Sequence, residues 1–99
     1  MDDKIMIIKN HLSEVIDPDM ELDIINLGLI YDIELNQDIC NIKMTMPTRS
    51  CQFGESITQN VIKAVEKIDF VSKCNLEMVW TPVWTKERMS KIARMTLGV

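Results

Sequence analysis

Leu29-Ile30-Tyr31-Asp32-Ile33-Glu34-Leu35-Asn36-Gln37-Asp38-Ile39-Cys40-Asn41-Ile42-Lys43-Met44-Thr45-Met46 is the stretch whose reading decides the fold. Leu29, Tyr31, Ile33 and Leu35 alternate with Ile30, Asp32 and Glu34, the period of two that marks a half-buried strand. Beyond the polar turn Asn36-Gln37-Asp38, Cys40, Ile42, Met44 and Met46 alternate with Ile39, Asn41, Lys43 and Thr45. Two alternating runs joined by so short a turn predict an antiparallel hairpin whose apolar faces share one core.

Upstream of the hairpin, Ile5, Ile8, Leu12, Val15 and Ile16 recur on one helical face, with Asp2 or Asp3 available as a cap. Pro18 disfavours helical geometry at Asp17, so the spacing predicts a helix over about residues 3–16. Asp17-Pro18-Asp19-Met20-Glu21 then reads as a turn, and residues 22–28 as an irregular connector in which Gly28 supplies a positive φ.

Downstream, a helical pattern begins near Gly54, with Ile57, Val61, Ala64, Val65 and Ile68 opposite Thr58, Gln59, Asn60, Lys63 and Lys67. Residues 69–73 turn the chain, and Cys74, Leu76, Met78 and Trp80 alternate with Asn75, Glu77 and Val79 as a third strand. A strand, helix, strand crossover predicts parallel strands. After Thr81-Pro82-Val83-Trp84, Thr85 is the expected N-cap of a last helix with Met89, Ile92 and Ala93 inward, ending near Gly98. The order α-β-β-α-β-α predicts an α+β domain of two layers, with the helices on one face of a small mixed sheet. Ninety-nine residues, 46% of them apolar, suffice for one such core, so residues 1–99 read as a single domain.

The net charge of −4 and the pI near 4.9 exclude nucleic acid as an expected partner, since phosphate binding needs a basic stripe. Lys86, Arg88, Lys91 and Arg94 read instead as a solvated helix face. Met1-Asp2-Asp3-Lys4 lacks the basic start of a signal peptide, and no apolar run approaches the ~20 residues of a membrane span. Three cysteines without a Cys-x-x-Cys pair fit a reducing compartment. The expectation is a cytoplasmic protein.

Cys40 and Cys74 fall on the apolar registers of their strands and read as packing residues. Cys51, in Pro47-Thr48-Arg49-Ser50-Cys51-Gln52, belongs to no register and precedes a helix start, where unpaired N–H groups favour a thiolate. It is the candidate for sulfur chemistry, with a loop cysteine half-covered by the next helix as the plainer alternative. A cysteine hydrolase would need a base beside it, and the only histidine, His11, reads as a solvated residue of the first helix, so no enzyme is expected. Asp17, Asp19, Glu21 and Asp23 lack the glycine and terminal glutamate of a calcium loop and read as a turn. Trp80 and Trp84 are rigid packing at a strand end or anchors for a partner, one of the two being exposed.

Taken in order, Val15-Ile16-Asp17-Pro18-Asp19, Ile24-Ile25-Asn26-Leu27-Gly28-Leu29-Ile30-Tyr31, the cysteine segment, and the tail from Trp80-Thr81-Pro82-Val83-Trp84-Thr85 through Met89-Ser90-Lys91-Ile92-Ala93-Arg94 to Leu97-Gly98 are specific. Together they resemble the small iron–sulfur cluster assembly domains typified by SufT and PaaD-like proteins. The resemblance implies a two-layer α/β domain and an accessory role in iron–sulfur protein maturation. It implies Cys51 as the functional thiol, a ligand for transient iron, cluster or sulfur, supported by Thr48, Asp17 and Asp19. Carrier or client proteins are the implied partners, and a bound cluster would call for a second copy of the chain, a partner or small thiols. The chain departs from the family pattern at Gln52, where proline is typical, at Asp19, where glutamate is usual, and in lacking a glycine between Ser50 and Cys51. The competing expectation is an interaction module that uses Trp80, Trp84 and the last helix, with a structural Cys51.

Overall fold

Alternating and helical periodicities resolve into three helices and two small sheets in the computed structural model, which describes residues 3–18, 20–47 and 54–99. The elements are α1 (Asp3–Leu12), β1 (Ile16–Asp17), β2 (Leu22–Asp23), β3 (Ile30–Asn36), β4 (Ile39–Met44), α2 (Gly54–Glu66), β5 (Lys73–Met78), a single 3-10 turn (Lys86–Arg88) and α3 (Lys91–Leu97). The expected α-β-β-α-β-α order is present, with one addition. β1 and β2 form a minimal antiparallel ladder of their own, too short for periodicity to reveal.

α1 ends four residues earlier than its apolar spacing predicts. The Ser13 hydroxyl donates to the Asn10 carbonyl at 2.6 Å, and the chain then turns into β1. Val15 is nevertheless buried, whereas Ile16 is half-exposed, because strand alternation rather than helical phase governs that point.

The hairpin pairs β3 with β4 as expected, Ile33 facing Ile42 and Leu35 facing Cys40. The register shifts between Ile30 and Asp32, so Tyr31 is the extra residue of a bulge. β5 lies parallel to β4, giving the order β3-β4-β5, and Cys40 faces Cys74 across the central pair. Ile8, Leu12, Ile42, Met44, Ile57, Val61 and Val65 fill the space between helices and sheet. The opposite sheet face carries Asp32, Glu34, Lys43, Asn75 and Glu77, all exposed.

The last helix departs from expectation in phase. Thr85 makes no side-chain cap, and the chain takes one 3-10 turn before Ser90, whose hydroxyl accepts the Ala93 N–H at 3.1 Å and starts α3. Moving the start to Ser90 leaves Met89 and Ala93 inward but turns Ile92 outward, 71% exposed. Gly28 takes the expected positive φ, +72°, and its lack of a side chain has a second use. A Cβ there would lie 2.2 Å from the Arg88 carbonyl oxygen, so the connector and the tail touch backbone to backbone.

Gly28→Ala should therefore lose the ~1–2 kcal/mol of a left-handed non-glycine residue and force the tail away as well. A drop of at least about 2 kcal/mol in unfolding free energy is expected from urea titration. A change under half that size would show that the close approach relaxes freely.

Candidate functional site

The end of the sheet where β4 and β5 finish is assembled by backbone hydrogen bonds before any side chain contributes. The Ile24 N–H donates to Val15, Leu29 to Ile24, and Thr45 to Leu29, at 3.0, 3.1 and 2.8 Å. The Val79 N–H donates to Met44 at 2.8 Å. These links run from the acidic turn, through the connector, to the two residues that carry β4 toward Pro47. Thr45 and Met46 are buried, so the chain is anchored on the strand side of the segment 48–53.

Asp17, one of two buried polar residues among those described, sits at the head of that path. Its carbonyl accepts the Glu21 N–H at 2.7 Å, and its carboxylate accepts the Met20 N–H at 3.3 Å. Asp23 works in the same way one turn later. Its carboxylate accepts the Asn26 N–H at 2.9 Å and the Asn26 side-chain amide at 2.6 Å. Both carboxylates thus close local turns, the behaviour that short acidic side chains offer where backbone N–H groups would be left over. Among the described residues, no group of three or more His, Cys, Asp or Glu side chains is arranged to hold a metal ion.

Asn26 extends the polar path to the tail. The Ser90 hydroxyl donates to Asn26 Oδ1 at 2.7 Å, and the Ser90 N–H donates to the Asn26 carbonyl at 2.8 Å. Tyr31, pushed out by the bulge, donates its hydroxyl to the Pro82 carbonyl at 2.9 Å, and the Arg88 guanidinium lies 4.3 Å from its ring centroid. Trp84 donates its indole N–H to the Leu27 carbonyl at 2.9 Å. Trp80 and Trp84 are both half-buried, so neither is the freely exposed anchor that sequence reasoning expects. Asn26, Tyr31 and Ser90 brace this end although sequence pattern alone does not mark them as site residues. The Asp23, Asn26 spacing and a serine ahead of Lys91 and Ile92 are the local signals that come nearest to doing so.

Cys40 and Cys74 are in the core, as their registers predict. The Cys74 thiol is pushed well above the ordinary thiol range, first by its hydrogen bond to Cys40, then by burial and by the nearby charges of Cys40 and Glu66. Glu66 also accepts the Cys74 N–H at 3.0 Å, which keeps that carboxylate close to the pair. Such a thiol stays protonated and is a poor nucleophile or metal ligand. His11 places Nδ1 3.0 Å from the Ile7 carbonyl oxygen, within its own helix. Cys51, Thr48 and Asp19 lie outside the described residues.

A polar turn, a bulged hairpin and a braced tail meeting at one end of a three-stranded mixed sheet define a class of small α+β domain with recognisable relatives. Residues 7–77 match the model of a family described as iron–sulfur cluster assembly protein, and the chain belongs to that family. It is 36% identical over 89 residues to the Fe-S protein maturation auxiliary factor YitW of Bacillus subtilis, covering 89% of this chain and 87% of that one. It is also 36% identical over 86 residues to the Fe-S protein maturation auxiliary factor SufT of Staphylococcus aureus, covering 86% and 98%. The fold is similar to the crystal structure of a domain of unknown function, DUF59, from Bacillus anthracis. That likeness has a TM-score of 0.90 at 35% identity and covers 95% of this chain and 91% of the other. No helix among the described residues is long and apolar enough to cross a membrane.

Two predictions come from this geometry. Trp84→Phe keeps the ring but removes the indole donor, so the Leu27 carbonyl loses its partner and unfolding free energy should fall by about 1–2 kcal/mol. An unchanged urea midpoint would mean that the bond contributes nothing.

In a Cys51→Ser variant, which keeps only Cys40 and Cys74, an aromatic disulfide reagent should find no rapid titre until denaturant is added. The sign of the pH dependence follows from the raised Cys74 thiol. Above about 8.5 the unfolded chain loses the Cys74 proton first, so stability should decline with rising pH, by no more than about 1.4 kcal/mol per unit from that thiol. Rapid modification of the folded variant at neutral pH would contradict the protected pair.

Proposed function

We propose that this chain is a non-enzymatic accessory factor in iron–sulfur protein maturation. In this reading Cys51 transiently ligates iron, a cluster or sulfur as cargo while the surrounding surface docks a carrier or client protein. The observation that carries it is the position of the other two thiols. Cys40 and Cys74 face one another in the core, 0 and 5% exposed, which sets both apart from any partner or cargo, and Cys51 is the remaining thiol of the three. The maturation-factor names of the two relatives support the same role.

A thiolate is a fitting donor for iron in a cluster, and a stable cluster takes four. One thiol per chain holds such cargo incompletely, and the remaining ligands come from a partner, a second copy or small thiols. Incomplete ligation suits a protein that must pass its cargo on. Asp17 and Asp19 in the turn and Thr48 before the cysteine are the supporting residues in this scheme. Asp17 acts through the turn it closes, which leads by backbone hydrogen bonds to the exit of β4.

Anaerobic reconstitution with ferrous iron and sulfide should give the wild-type protein a visible chromophore that Cys51→Ser lacks. In cells, Cys51→Ser should abolish maturation of client enzymes while leaving the domain folded, and Cys40→Ser should not mimic it unless it unfolds the protein. A Cys51→Ser strain that matured its iron–sulfur enzymes normally would end the chemical reading. The second reading, a pure interaction module, is favoured by one observation: large exposed apolar side chains gather on the tail. It expects tail substitutions to impair function more than Cys51→Ser. Because Trp84 braces the connector, exposed tail residues test it more cleanly than Trp84→Ala does.

A further inference from the structure

Residues 82–99 differ from the rest of the molecule in both charge and surface. They hold Lys86, Arg88, Lys91 and Arg94 against Glu87, a net +3, while the remainder of the chain is −7. Of the nine large hydrophobic residues that are exposed among the described residues, five lie here. Ile92 and Met95, three residues apart on one face of α3, are 71 and 72% exposed, and Val99, just past the Gly98 cap and 52% exposed, continues the apolar surface beside Met95 as one ridge. Lys91 and Arg94 flank it and, with Met95 and Val99, border a shallow depression of about 460 Å³.

The ridge is not a frayed end. Ser90 caps the start of α3, Gly98 closes its end in the left-handed conformation, and Ala93 is fully buried beneath it. A helix pinned on one side and bare on the other presents its apolar residues in a fixed array. Covering Ile92 and Met95 would remove exposed apolar surface from water, which rewards a partner.

The charges decide which partner. Two copies of this chain meeting ridge to ridge would bring both sets of Lys91 and Arg94 together as water is removed, which disfavours self-pairing. We infer that the tail is a docking ridge for an acidic amphipathic helix of a partner protein, its apolar stripe lying along Ile92, Met95 and Val99 and its carboxylates reaching Lys91 and Arg94. The inference rests on the maturation reading only for the existence of a carrier or client to dock. It involves no iron, cluster or thiol.

The test uses the full chain and two synthetic helical peptides, both with leucines at positions i, i+3, i+4 and i+7, one flanked by glutamates and the other by lysines. Titration should show the glutamate peptide binding roughly tenfold more tightly, since Lys91 and Arg94 attract one peptide and repel the other, and the two opposed effects add in the ratio. Lys91→Glu combined with Arg94→Glu should reverse the preference. Ile92→Ser combined with Met95→Ser should weaken both peptides roughly tenfold with an unchanged urea midpoint, because these side chains are outside the core. Equal binding of the two peptides, no binding of the glutamate peptide at millimolar concentration, or a dimer that dissociates on Ile92→Ser with Met95→Ser would overturn the inference. Because binding is read without metal, its failure would leave the Cys51 chemistry standing, and a failed reconstitution would leave the ridge standing.

Discussion

The Gly28 backbone and the Arg88 carbonyl occupy space that any side chain at position 28 would need, and the end of the domain where connector and tail meet is arranged around that approach. Once the two segments are this close, the Tyr31 hydroxyl can reach Pro82, the Trp84 indole can reach Leu27, and Ser90 can engage Asn26 from both its backbone and its side chain. None of these bonds is strong singly, at roughly 0.5–1.5 kcal/mol net. They share one geometric precondition, so they form or fail together. Past its short pairing with β1 the connector is irregular because its N–H and C=O groups are committed to Val15, Leu29, Trp84 and Ser90 rather than to a longer ladder.

Much of this architecture was legible from local pattern. The hairpin, the second helix and the parallel third strand follow from alternation and helical spacing, and both core cysteines follow from register. The misreadings share a cause. Val15 and Ile16 continue the helical spacing of the first helix by coincidence, and only the Ser13 turn and the β1 pairing, both set by tertiary context, end the helix at Leu12. Thr85 and Ser90 are equally good caps in isolation. Ser90 starts α3 because Asn26, sixty-four residues earlier, holds it in place. That choice rotates Ile92 from core to surface. Contacts of such separation leave no local signature, and the same holds for the two tryptophans, whose half-burial depends on the connector.

The thiols illustrate how a sheet can set chemical reactivity without a dedicated site. Parallel pairing of β4 with β5 puts Cys40 opposite Cys74, and the pairing alone provides the proximity that keeps the Cys74 proton in place. The same contact lowers the Cys40 thiol, so one proton is shared unequally across the pair, and it is burial that keeps both sulfurs from solvent. A protein handling iron or sulfide gains from having few competing soft ligands, because stray thiolates would hold the cargo where it cannot be passed on.

Seven residues are too few for a helix to persist by itself in water. α3 is ordered because its cap is held by the connector and Ala93 is seated in the core, so its outward row of side chains exists as a row only on a finished domain. A protein that reads this row reads, in effect, a certificate of folding. Nascent or partly unfolded chains would carry the same residues in sequence but not in space, and would be passed over.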